Sequence, residues 1–113
     1  MKYIMLIYGT EQSWAEMSES ERNQVMGDYR KLSEDLKASG HYVSGSQLQP
    51  ASMATSVRVR NGKRMLTDGP FAETREQLGG YYLVEAKDLD EALGIAERIP
   101  SSRFGTIEVR PLR

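Results

Sequence analysis

No cysteine occurs among the 113 residues, so disulfides, thiolate nucleophiles and cysteine-based zinc sites are excluded together. Histidine is almost as scarce. His41 stands alone, and one imidazole does not build a metal centre within a chain, so no metal is expected. An excess of either charge is missing too. Fifteen Lys+Arg against 16 Asp+Glu leave a net charge of -1, which gives no global field to draw nucleic acid or anionic lipid. Long apolar runs are also absent. Tyr3 to Tyr8 covers six residues, lacks a small-residue cleavage site behind it and meets Glu11 almost at once. It falls far short of the ~18 residues of a membrane span. These absences predict a soluble, cytoplasmic domain with neither nucleic acid nor membrane among its partners. What remains is 39% apolar, enough for one core without staples, and the length predicts a single domain over residues 1–113.

Residues 2–8 read as a buried strand. Ser18 with Glu21 makes a capping box, and Val25, Tyr29, Leu32 and Leu36 share one face of a helix from about 19 to 39, closed by Gly40. A short strand at 41–43 follows. Asn61-Gly62 then sits between Val57-Arg58-Val59-Arg60 and Lys63-Arg64-Met65-Leu66, the pattern of a hairpin with a type I′ turn. That register pairs Arg60 with Lys63 and Val57 with Leu66. It predicts a hairpin half buried on Val57, Val59 and Leu66 and half basic on Arg58, Arg60 and Lys63. Gly79-Gly80 reads as a flexible entry to a strand at 81–84. Asp88 and Glu91 open a second helix with the apolar face Leu89, Ala92, Leu93 and Ala96, and Phe104 to Val109 is the last strand.

Two strand–helix–strand units around one antiparallel sheet predict a ferredoxin-like α+β fold with two helices on one face and an extra hairpin. The first strand is apolar on both faces, Tyr3, Met5 and Ile7 on one and Ile4, Leu6 and Tyr8 on the other. Helices cover only one of them, so a second copy is the expected cover and a homodimer the expected assembly.

Asp68-Gly69-Pro70-Phe71, followed by Ala72-Glu73-Thr74 and Gln77-Leu78-Gly79-Gly80-Tyr81-Tyr82, resembles the DGPF proteins of the YCII-related family. Tyr8-Gly9, Trp14 and the stretch from Ile107 to Pro111 are similar as well. The resemblance implies a dimeric α+β barrel. It also implies one of two roles: a companion of extracytoplasmic-function sigma factors, as for many bacterial members, or a small enzyme acting on ring compounds by proton abstraction or elimination. The YCII branch pairs a histidine of the first long helix with an aspartate. The aspartate is matched here by Asp68. The histidine is not, because the inward helix face carries Tyr29 and His41 lies beyond the helix end.

Asp68 is the candidate catalytic residue. A carboxylate at a strand end beside Gly69 and Pro70 can serve as a general base, though the same pattern also makes an Asx-type turn. Trp14, Tyr29, Phe71 and Tyr82 are candidates for an aromatic ligand pocket, and aromatics at these spacings equally build plain core. Arg58, Arg60, Lys63 and Arg64 form the one basic cluster. Without interleaved aromatics or net positive charge it does not read as a nucleic-acid surface. Gly79-Gly80 has no helix behind it to make a phosphate site, and no motif calls for a cofactor.

Overall fold

Ser18 opens the helix that organises the chain. In the computed structural model, which describes residues 1–113, the Ser18 hydroxyl accepts the Glu21 N–H at 3.1 Å and Glu21 Oε1 accepts the Ser18 N–H at 3.2 Å. The elements run β1 (Lys2–Gly9), α1 (Glu11–Glu16), α2 (Glu19–Ala38), β2 (Tyr42–Gln47), β3 (Thr55–Arg60), β4 (Lys63–Asp68), β5 (Gln77–Glu85), α3 (Leu89–Arg98) and β6 (Thr106–Pro111). Short 3₁₀ turns lie at Ala51–Met53 and Pro100–Arg103. No helix is long and apolar enough to cross a membrane.

Four strands form one antiparallel sheet in the order β2-β5-β1-β6. The units β1-α2-β2 and β5-α3-β6 each straddle a strand of the other, which is the ferredoxin-like arrangement expected. The sheet is open at both edges, so one chain closes no barrel. Tyr3, Met5, Tyr82 and Val84 face the helices and pack with Leu32, Leu36, Ala92, Ile95, Ala96 and Ile99. Pairing Leu6 with Tyr81 and Ile4 with Leu83 puts these four on the opposite face, away from the helices, where each stays partly exposed.

Several local expectations are corrected. Trp14 lies on α1, a helix the sequence reading did not expect, where the Thr10 hydroxyl accepts the Ser13 N–H at 3.1 Å. Gly79-Gly80 is not a flexible entry. Both belong to β5, and Gly80 is buried against β2, where an added Cβ would sit 2.9 Å from the Ser46 carbonyl oxygen. On α3 the core stripe is Ala92, Ile95, Ala96 and then Ile99, while Leu89 and Leu93 are exposed. Spacing by three and four with two alanines lets this helix lie close on the sheet.

The hairpin has the register read from its turn, with Asn61 at φ 52° and Gly62 at φ 73°. Its burial is different. β3 and β4 form a separate two-stranded sheet on which no other element packs, and Val57, Val59 and Leu66 are 61%, 62% and 55% exposed. The hairpin is an arm. It contributes to a radius of gyration of 15.9 Å, where a compact chain of this length has about 13 Å.

His41, just before β2, ties the end of α2 to the start of α3. Its Nε2 lies 3.1 Å from Glu91 Oε1, and that oxygen also accepts the Lys87 N–H at 3.1 Å. The Lys87 N–H first, and His41 second, hold the Glu91 carboxyl below its ordinary value. A carboxylate favoured in the folded state stabilises it above the unfolded pKa, and that contribution is lost as the pH falls through the folded one. Glu91→Gln therefore lowers the melting temperature at neutral pH. The gap to the parent closes as the pH falls below the ordinary glutamate range, which melting curves between pH 3 and 7 will show.

Candidate functional site

β4 ends at Asp68, opposite Thr55. Gly69 then turns the chain at φ 95°, a conformation open to glycine, while its N–H donates to the Ala54 carbonyl at 2.7 Å and its carbonyl accepts the Ser56 hydroxyl at 2.8 Å. The turn is thus closed by backbone and by Ser56. The Asp68 carboxylate is exposed and takes none of these bonds, so it does not cap the turn.

Beyond Asp68, the segment from Pro70 to Gln77 forms one wall of a cleft of about 710 Å³. Pro70, Glu73, Thr74, Arg75 and Gln77 face Thr10, Glu11, Gln12, Ser13 and Glu16 around α1, with Ala51 and Ser52 beside them. Two contacts fix the walls. Glu11 Oε1 accepts the Ala51 N–H at 2.9 Å, and Gln77 Nε2 donates to the Thr74 carbonyl at 2.7 Å. Apart from Ala51 and Pro70 the lining is polar, with three carboxylates against the single guanidinium of Arg75. Next to it, Glu76 keeps Oε1 buried without a hydrogen-bond partner, the kind of group that a ligand or partner side chain satisfies. No three side chains of metal-ligating type come together.

The structure separates the four candidate aromatics. Tyr29 and Tyr82 stack on the helix side of the sheet, with ring centroids 6.4 Å apart. Tyr29 Oη meets the Ser101 hydroxyl at 2.6 Å and Tyr82 Oη the Ser33 hydroxyl at 2.8 Å. Burial raises both phenol pKa values despite these bonds, so neither is a ready proton acceptor near neutrality. Phe71 is 80% exposed and Trp14 38%, and neither stacks on the tyrosine pair. Asp68 and Phe71 lie beside the cleft in sequence, two residues before and one after Pro70, without lining it. His41 is held by Glu91 and Ser39. Sequence reasoning missed the cleft, Glu76 and the role of Glu11. The one readable signal was Thr10 followed at three residues by Ser13, a cap that places α1.

A family model described as the YCII-related domain matches residues 1–113. An uncharacterized protein of Rhizobium meliloti (strain 1021) is 36% identical over 114 aligned positions, spanning 99% of this chain and 92% of the other. Among solved structures, the fold matches 5-chloro-2-hydroxyhydroquinone dehydrochlorinase from Burkholderia phenoliruptrix AC1100 in complex with 2,5-dihydroxybenzoquinone. The TM-score is 0.61, with 16% identity over 100% of this chain and 94% of that one.

Proposed function

The chain belongs to the YCII-related family, and from that premise we propose that it is a homodimer that binds a small ring compound beside Asp68 and supports slow proton transfer or elimination on it. The observation that carries this reading is an unengaged carboxylate two residues from the wall of a polar cleft. A carboxylate that does no structural work is free to accept a proton from a ligand hydroxyl or to contact a polar group on it. The likeness to a dehydrochlorinase supports the ring compound as the class to try first. The partly exposed row of Ile4, Leu6, Tyr81 and Leu83 supports the dimer, since two such open sheets facing each other bury what one chain exposes. In this reading neither a metal nor a cofactor takes part, and the protein works in the cytoplasm.

The test is calorimetric titration with 2,5-dihydroxybenzoquinone, together with chloride release from 5-chloro-2-hydroxyhydroquinone. Saturable binding is the expected result. Absence of both binding and chloride release overturns the choice of ligand class.

One observation favours a second reading. Asp68 is open to solvent, and the arm exposes Val57, Val59 and Leu66. Such a surface suits a non-catalytic accessory module that docks on another protein, a sigma factor by the family resemblance. A protein that binds no ring compound, yet shifts on gel filtration when mixed with a cognate sigma factor, would replace the first reading with this one.

A further inference from the structure

A two-stranded hairpin is marginal in water unless something covers its apolar side, and this arm has no cover within the chain. Its charges are unpaired as well. The ion pairs of the chain join Met1 with Glu85, His41 with Glu91, Arg98 with Asp35, Arg103 with Asp28 and Arg110 with Glu108. Arg58, Arg60, Lys63 and Arg64 take part in none of them. Neither do Glu11, Glu16 and Glu73, the carboxylates of the cleft.

The arm cannot bring its cations to its own cleft. Its base, at Thr55 and Asp68, adjoins the cleft wall at Pro70, and six extended residues carry the Asn61-Gly62 tip ~20 Å away. A second copy removes the difficulty. When two identical arms lie side by side and antiparallel about a two-fold axis, the tip of each falls at the base of the other.

We propose that the arms of two copies pack in this way, the Val57, Val59 and Leu66 rows against each other, so that the Arg60, Lys63 and Arg64 tip of each chain completes the acidic cleft of its partner. One packing thus buries the apolar rows and matches unpaired cations with unpaired carboxylates. The cleft of one chain alone is acidic, whereas the cleft of the pair carries guanidinium and ammonium groups from both copies. It then suits a ligand with anionic or strongly electron-withdrawing oxygen, which the single chain would repel. The proposal rests on the homodimer proposed above and adds the arm as the element that makes the site composite.

The absence of cysteine makes the test clean. Ser52→Cys marks the cleft and Lys63→Cys the tip, both at exposed positions. A short bismaleimide is applied to each single variant and to the double variant at micromolar concentration, and denaturing electrophoresis is read beside light scattering. The double variant is expected to run as a covalent dimer, formed roughly 10–100-fold faster than encounters between free chains allow. Each single variant is expected to stay a monomer on the gel, because the antiparallel arrangement holds equivalent positions apart. Covalent dimers from Lys63→Cys alone would mean that the tips meet, and would overturn the proposal. Failure of the double variant to crosslink, with a solution mass still twice 12.8 kDa, would overturn the arm packing and leave the sheet-to-sheet dimer. A solution mass of 12.8 kDa would overturn both.

Discussion

Leu6→Asp is expected to reduce the particle in solution from twice 12.8 kDa to 12.8 kDa, as measured by light scattering at micromolar concentration. Leu6 lies in the central strand pair of the sheet face away from the helices, opposite Tyr81 on β5 and Glu108 on β6. In a sheet-to-sheet dimer the two copies of this side chain fall near the middle of an interface of standard size, about 800 Å² per partner. A carboxylate there loses its water next to Glu108, whose charge Arg110 already pairs, and faces its own symmetry mate. A penalty of ~4–5 kcal/mol is reasonable, which is about three orders of magnitude in the dissociation constant. The fold should survive, because the helix-side core of Met5, Leu36, Val84 and Ile99 lies across the sheet from position 6. Circular dichroism separates the outcomes. A folded monomer is the expected result. A folded variant that stays at twice 12.8 kDa would show that the dimer uses another surface.

How far the sequence reveals this architecture depends on how local the cause is. The hairpin register was legible to the residue because a type I′ turn needs positive φ at both central positions, which Asn61 and Gly62 tolerate. The boundary of α2 was legible because Ser18 and Glu21 satisfy each other's backbone donors. The exposure of the arm was not. Alternation tells which residues share a face but not whether anything arrives to cover it, and here nothing in the chain does. Gly80 misled for the opposite reason. Its lack of a side chain reads as flexibility, yet it serves the close approach of the Ser46 carbonyl in the middle of a sheet. The α3 stripe was legible at Ala92 and Ala96, but Leu89 and Leu93 were read into it where Ile95 and Ile99 actually pack. The cleft was beyond reach because α1, the Ala51–Met53 turn and the Pro70–Gln77 segment meet only in the folded chain.

Asp68→Asn is expected to leave folding almost unchanged and to abolish most of the ligand affinity or turnover. The first half follows from the geometry. The turn after β4 is held by the Gly69 N–H on the Ala54 carbonyl and by the Ser56 hydroxyl on the Gly69 carbonyl, and the Asp68 side chain contributes no bond to either. Asparagine has the same shape, so a stability change within about 0.5 kcal/mol is expected. The second half depends on charge. A carboxylate that accepts a proton from a ring hydroxyl loses that capacity as an amide, and removal of a general base costs about 10²–10⁴-fold in rate. Tyr29→Phe is the contrasting variant. It removes the hydroxyl bonded to Ser101 on the helix side, so about 1 kcal/mol of stability should go while binding and turnover remain. The pair of variants is decisive because the two effects run in opposite directions. If Asp68→Asn lowered the melting temperature as Tyr29→Phe does, and ring compounds still bound with parental affinity, Asp68 would be a structural turn residue. If both variants lost turnover, the proton path would run through the tyrosine pair under the helices, and the cleft beside Pro70 would not be where the chemistry occurs.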